Sequence, residues 1–243
     1  MNIEKFIVEI KEYCMYKKVL ELFEKTENKH FWGNYFDSRF YIAMVLDKIS
    51  TKTILDIGCG GGILLHLSKA QLKIGLDYSF ESLLHAKKLD KKMELVCGDA
   101  AHLPFRTDFF PTVLAIHILP ELKKIGGDWE TALNELKRVS KTNSTLIIVG
   151  ANRMSRHFEN YEIRKEYLNY KQQLKLLEDE FLIDVNGFDP HSKLLMYPLK
   201  KIFLNLPEKI LNGFLEKKIF EWLKSKRYLK NGRSYVMIYK KKS

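Results

Sequence analysis

Three acidic residues and one glycine-rich run carry the chemistry that can be read from this sequence. Ile54-Leu-Asp-Ile-Gly-Cys-Gly-Gly-Gly62 places an acid, Asp56, two residues before the first of three glycines at alternate positions, Gly58, Gly60 and Gly62. Glycine admits backbone conformations closed to other residues and lets a ligand approach the main chain. The run opens onto an apolar helical pattern, Ile63–Leu67, so a helix N-terminus there would favour a carboxylate or phosphate. Asp77 ends the next β-like run, Lys73-Ile-Gly-Leu-Asp77, where an acid is placed to accept both hydroxyls of a ribose. A nucleoside-bearing ligand follows. The dinucleotide fingerprint does not: counting Gly-x-Gly-x-x-Gly from Gly58 puts Ile63 at the third position.

Groups that could move a proton are fewer. His117 leads, because it follows a β-like run whose carboxyl end would meet both ligand and acceptor. His30 stands in the aromatic stretch His30-Phe31-Trp32, and His191 follows Asp189-Pro190 as a turn residue. Glu121 and Tyr35 could approach an acceptor, without a spacing in their support. No HxH, CxxC or facing carboxylate pair occurs, so no metal is expected. The three cysteines, Cys14, Cys59 and Cys97, cannot all pair within the chain, which suits a reduced, cytoplasmic protein.

These residues need elements to hold them. Short β-branched runs at Thr53–Ile57, Lys73–Leu76, Met93–Cys97, Thr112–Ile116 and Thr145–Val149 alternate with helical patterns at Gly62–Lys69, Ser79–Leu89 and Trp129–Val139. That alternation implies a parallel sheet covered on both faces. Ahead of it, an amphipathic helix over 3–26, the aromatics Phe31, Trp32, Tyr35 and Phe36, and a helix over 35–49 make an N-terminal helical cap, residues 1–50. Behind it come a long helix over 153–179, a strand near Phe181–Val185, a turn at Asn186-Gly187 and a last strand, Tyr235–Tyr239. Two neighbouring strands that far apart in sequence require an insertion, residues 189–233.

The net charge of +11 belongs mostly to that insertion and the end of the chain. Residues 197–243 hold 13 of the 41 basic side chains and 3 of the 30 acidic ones. Ile210, Leu211, Phe214, Leu215, Ile219, Trp222 and Leu223 follow helical spacing, with Lys209, Lys217, Lys224 and Lys226 off the stripe. An apolar face flanked by lysines suits contact with an anionic membrane surface through residues 198–230. Nucleic acid is the less favoured partner, since the aromatics lie on the apolar stripe and are not free to stack on bases. The longest apolar stretch, Val113 to Leu119, falls far short of the ~20 residues of a membrane-spanning helix.

The spacing Asp-x-Gly-x-Gly-x-Gly resembles that of class I S-adenosylmethionine-dependent methyltransferases. Val96-Cys-Gly-Asp-Ala100 with Leu103-Pro-Phe105 is similar to the segment after that family's third strand. Phe110–His117 and Leu136–Ser140 with Leu146–Val149 resemble its fourth strand, a following helix and the fifth strand. The resemblance covers residues 52–150 and the last strand, within a methyltransferase domain of 51–243. It implies a Rossmann-like α/β fold with a seven-stranded, mostly parallel sheet, an antiparallel last strand and a helical insertion before it. It also implies S-adenosylmethionine as cofactor, S-adenosylhomocysteine as product, and cofactor contacts from Asp56, Gly58, Cys59, Gly60, Asp77, Tyr78, Asp99, Ala100 and Ile116, with Arg39 on the cofactor carboxylate. Asp99 would take the adenine amino group. The Leu-Pro-Phe segment and the aromatic cluster are most similar to the small-molecule branch, ubiquinone- and menaquinone-type enzymes among them. The expected acceptor is an apolar or amphiphilic small molecule. RNA or protein methylation, or a non-catalytic subunit that binds the cofactor, are the alternatives.

Overall fold

The alternating pattern closes into a single sheet. The computed structural model describes residues 49–124, 126–151, 181–188, 224–225 and 234–242, with 42, 43, 45, 46, 171, 175 and 177. Its strands are β1 (Thr53–Ile57), β2 (Leu72–Asp77), β3 (Glu94–Cys97), β4 (Phe110–Ile116), β5 (Ser140–Ala151), β6 (Phe181–Phe188), β7 (Lys224–Ser225) and β8 (Ser234–Lys241). The helices described between them are α1 (Ile63–Leu67), α2 (Phe80–Leu89), α3 (Ile118–Lys124) and α4 (Trp129–Val139). The sheet order is β3-β2-β1-β4-β5-β8-β6-β7. β1 to β5 pair in parallel, and β8 runs antiparallel between β5 and β6.

A strand covered on both faces is apolar throughout, and β1 shows how its residues divide. Ile54 packs with Leu64, Leu83 and Ala86 under α1 and α2, whereas Leu55 and Ile57 pack with Leu119, Leu133 and Leu136 under α3 and α4. The helices begin where a side chain replaces a missing intrahelical acceptor. Ser79 Oγ accepts from Ser82 N at 3.2 Å to start α2, and Asp128 Oδ1 accepts from Thr131 N at 2.9 Å to start α4. Lysines and arginine in their last turns, Lys87, Lys88, Lys137 and Arg138, complement the helix dipole.

Several expectations change. Among the described residues the sheet has eight strands rather than seven, because Lys224 and Ser225 form β7 against Phe188 and Gly187; Lys224 is thus in a strand. Asn186 and Gly187 lie within β6 and not in a turn. α1 has five residues, shorter than the pattern Gly62–Lys69. β4 begins at Phe110, with a register irregularity between Phe110 and Thr112. Pro111 sits there, where a ladder can spare its missing N–H. α3 was not anticipated. Of the N-terminal cap, Ile42, Ala43 and Leu46 are helical and buried with the α1–α2 cluster. His30, Phe31, Trp32, Tyr35, Phe36, Arg39 and His191 lie outside the described residues, as does the insertion apart from β7. No helix among the described residues is long and apolar enough to cross a membrane.

Candidate active site

The strand order reverses between β1 and β4, and ligands of open α/β sheets bind in the crevice outside the carboxyl ends at such a point. Register brings the chemistry there. Asp56 is level with Gly75 on β2 and Leu114 on β4, Asp77 with Cys97, and Ile116 with Val149. The residues that follow these strand ends, Gly58, Asp99 and His117, therefore share one edge with Asp77.

The glycine loop is tied to β2 by its own backbone. Gly58 N and Cys59 N both donate to Leu76 O, at 2.7 and 3.0 Å, and Gly62 N donates to Cys59 O at 3.0 Å. Gly58, Gly60 and Gly62 have φ of 71, 51 and 73°, a left-handed region that costs other residues about 1–2 kcal/mol. Asp77 completes the turn: its Oδ2 accepts from Gly60 N at 2.7 Å and its Oδ1 from Ser79 N at 2.9 Å. Each carboxylate oxygen has a second acceptor position, so both keep capacity for a ligand hydroxyl.

The two sides of the loop differ. Among the described residues, a Cβ on Gly60 or Gly61 would meet nothing within 4 Å, while one on Gly58 would come within 3.1 Å of Ile118 Cδ1. The crevice is therefore open outward and closed inward by the first residue of α3. Open glycine backbone beside a half-buried carboxylate fits the aminoacyl and ribose parts of S-adenosylmethionine. Asp56, Gly58, Cys59, Gly60 and Asp77 would hold them.

Asp56 is buried at the end of β1. Cys59 packs its thiol against β2, where a Cβ on Gly75 would lie 2.7 Å from Sγ. Burial, followed by the charges of Asp56 and Asp77, pushes that thiol far above its ordinary range. It is a neutral packing group, and Cys59 can offer the crevice only main chain.

Asp99 follows β3. Its Oδ1 accepts from Ala101 N at 2.9 Å and its Oδ2 lies 3.2 Å from His102 Nδ1. The Ala101 amide, then His102, holds its carboxyl below the ordinary range despite some desolvation. It is an ionised acceptor at neutral pH, suited to an amino group. Ala100 beside it is buried, while Tyr78, after Asp77, is exposed.

His117 follows β4 with φ of 61°, donates its N–H to Val149 O at 2.8 Å, and is buried. Positive φ is uncommon for residues other than glycine and gathers at functional positions. Ile116, before it, is buried at the β4 end. Three features of the site were not foreseen: Ile118 against Gly58, Tyr235 over Gly150, and the Glu135–Arg138 pair behind residues 103–107. The last had a faint signal, since an acid and an arginine three apart on a helix are neighbours. Among the described residues no cluster of three His, Cys, Asp or Glu could hold a metal ion.

Comparison with known proteins agrees with this geometry. Residues 55–148 match the family described as a methyltransferase domain. An uncharacterised protein of Methanocaldococcus jannaschii is 29% identical over 211 residues, 82% of this chain and 88% of that one. Malonyl-acyl-carrier-protein O-methyltransferase of Legionella pneumophila is 33% identical over 118 residues, 45% of this chain and 40% of that one. Other relatives are named for acceptors as different as a tRNA and demethylmenaquinone. Among solved structures, a Thermotoga maritima S-adenosylmethionine-dependent methyltransferase, described as a possible histamine N-methyltransferase, superposes with a TM-score of 0.61. It shares 16% identity over 96% of this chain and 100% of that one, a likeness of fold.

Proposed function

Residues 55–148 match a methyltransferase domain, and from that premise we propose that the chain is a class I S-adenosylmethionine-dependent methyltransferase that acts on an apolar or amphiphilic small molecule. The observation that carries this reading is the character of the edge beside the glycine loop. Among the described residues, β4 and β5 end, and β8 begins, with Ile116, Val149, Gly150, Ala151, Ser234 and Tyr235, with His117 directly after β4, and none of these is a lysine, arginine or carboxylate. An RNA acceptor would call for basic groups tracking its phosphates. The relative named for demethylmenaquinone supports the same class.

The bound cofactor supplies a methyl group on a sulfonium, already an electrophile with a good leaving group. What remains for the protein is alignment, which can be worth about 7–11 kcal/mol of a barrier. Asp77 and the glycine loop hold one end of the cofactor, and Asp99 the other. His117 stands where β4 meets the crevice and is the base for an acceptor that must lose a proton, a role worth about 10²–10⁴-fold. An anionic membrane met through residues 198–230 would present such an acceptor.

Tritiated-methyl S-adenosylmethionine incubated with cell extract tests the acceptor class. Label that follows an organic extraction supports this proposal, and label that precipitates with RNA or protein overturns it. Calorimetry tests the site: Asp77→Ala weakens S-adenosylmethionine and S-adenosylhomocysteine alike, by about tenfold or more, as loss of a charge-assisted bond requires. Unchanged affinity would remove Asp77 from the site.

A further inference from the structure

The loop after Asp99 has no ladder to hold it, yet side chains of α4 engage its backbone. Leu103 N donates to Glu135 Oε2 at 2.8 Å, and Leu103 O accepts from Arg138 Nη2 at 3.0 Å. Both main-chain groups of one residue are thus taken by side chains of α4. The Arg138 guanidinium also reaches Phe105 O at 2.8 Å and Thr107 Oγ1 at 3.2 Å. Its Nε and Nη2 meanwhile hold the two Glu135 oxygens at 2.6 and 2.8 Å. One planar fork therefore spans residues 103 to 107, and the carboxylate that orients it grips the same loop.

The grip reaches the cofactor side through a short path. Asp99 O accepts from His102 N at 3.1 Å, and Asp99 Oδ1 from Ala101 N at 2.9 Å, so residues 99–102 form one closed turn. Ala100, Ala101 and Leu103 are buried under α4. At the far end the Phe105 ring meets Phe110 of β4 edge-on, with centroids 5.3 Å apart. With Leu103 fixed, the turn that carries Asp99 has no free exit.

We propose that Arg138, locked by Glu135, is a positioning residue for cofactor binding, presetting the turn that presents Asp99 and Ala100 to the adenine. This rests on the assignment of Asp99 to the cofactor site. Lysine cannot replace the fork, because a single ammonium lacks the planar donors that bridge three separated acceptors. Holding a binding loop in its bound form before the ligand arrives raises affinity by removing an ordering cost.

The test measures S-adenosylhomocysteine affinity by calorimetry together with amide hydrogen exchange, on wild type, Arg138→Gln, Arg138→Lys and Glu135→Gln. Positioning predicts that Arg138→Gln and Arg138→Lys weaken binding about tenfold, at temperatures well below unfolding. It also predicts that the Ala101 and Leu103 amides lose protection while core amides of β4 keep theirs. Glu135→Gln, the mildest change in shape, shows the same pattern to a lesser degree and serves if the arginine variants do not fold. Variants that fold, lose stability and yet bind like wild type would reduce the pair to a staple and overturn the proposal. Wild type that binds no S-adenosylhomocysteine would instead sink the cofactor assignment, and the exchange at Leu103 would still report the grip.

Discussion

Two stretches of the same sheet edge use glycine for opposite purposes. In the loop after β1, Gly60 turns a side outward where an added Cβ would touch no described residue within 4 Å. At the seam between β5 and β8, Gly150 pairs with Tyr235, and an added Cβ would overlap the tyrosine hydroxyl and ring. One missing side chain leaves space for a ligand. The other is filled by the protein, with a ring that is fully buried. The loop is polar and local, bonded to Asp77 on the very next strand, while the seam is apolar and joins distant parts of the chain. The difference teaches that room at a functional edge is decided by what lies opposite a glycine and not by the glycine itself.

The largest expected effect tests the filled side. Gly150→Ala should cost about 3 kcal/mol, the range of overpacking in a tight core, and lower the thermal midpoint by several degrees. Gly60→Ala meets no atom of the described residues, so its left-handed φ of 51° sets the cost, at about 1–2 kcal/mol. Its effect on S-adenosylmethionine affinity should exceed its effect on stability, because the new methyl group points to where the cofactor would lie. Thermal unfolding and calorimetry on both variants would settle the contrast. Equal stability losses, or an affinity loss confined to Gly150→Ala, would dissolve it.

The same contrast explains what could be read in advance. Asp56, Gly58, Gly60, Asp77 and Asp99 lie within or just after short strands, and the roles proposed for them follow from spacing along one or two elements. The five parallel strands were legible for a related reason: each holds a short apolar run, most fully buried in β1 and β4. The seam was not, since neither Gly150 nor Tyr235 announces a partner and antiparallel register alone sets them opposite. Nor was the grip of Arg138 on Leu103, whose partners lie more than thirty residues away. α3 escaped because Pro120 interrupts its pattern, although proline is tolerated in a first helical turn. The two-residue β7 carries no periodicity at all.

A smaller effect probes the polar side through pH. Arg138, above all through its hydrogen bonds, holds the Glu135 carboxyl below its ordinary 4.5. A carboxyl lowered on folding contributes stability that is complete above its unfolded value and lost as pH falls through its folded one. Wild type should therefore lose stability as pH drops below about 4.5, and Glu135→Gln should lose less over the same interval. Asp90, Asp99, Asp108 and Asp128 are also lowered, so the variant keeps a residual acid dependence. Denaturant midpoints followed from neutral to acid pH would show the two curves converging; parallel curves would mean that the pair adds nothing to folding.

The smallest perturbation compares the two cysteines that flank the cofactor side. Cys97 is exposed at the end of β3, with its Sγ 3.6 Å from Tyr78 O. Cys59 is buried in the notch left by Gly75, and its thiol is held protonated by burial and by the nearby carboxylates of Asp56 and Asp77. The thiolate is the reacting form, so burial and charge act in the same direction on Cys59. A maleimide at mildly alkaline pH should label the peptide that holds Cys97 and spare the one that holds Cys59 until denaturant is added, as peptide mass spectrometry can follow. Because Cys97 pairs with Asp77 across β2 and β3, saturating S-adenosylhomocysteine should slow its labelling. Labelling of Cys59 in the folded protein would mean that the loop opens on the labelling timescale, and its amides could then not be the preset wall that the empty face of Gly60 implies.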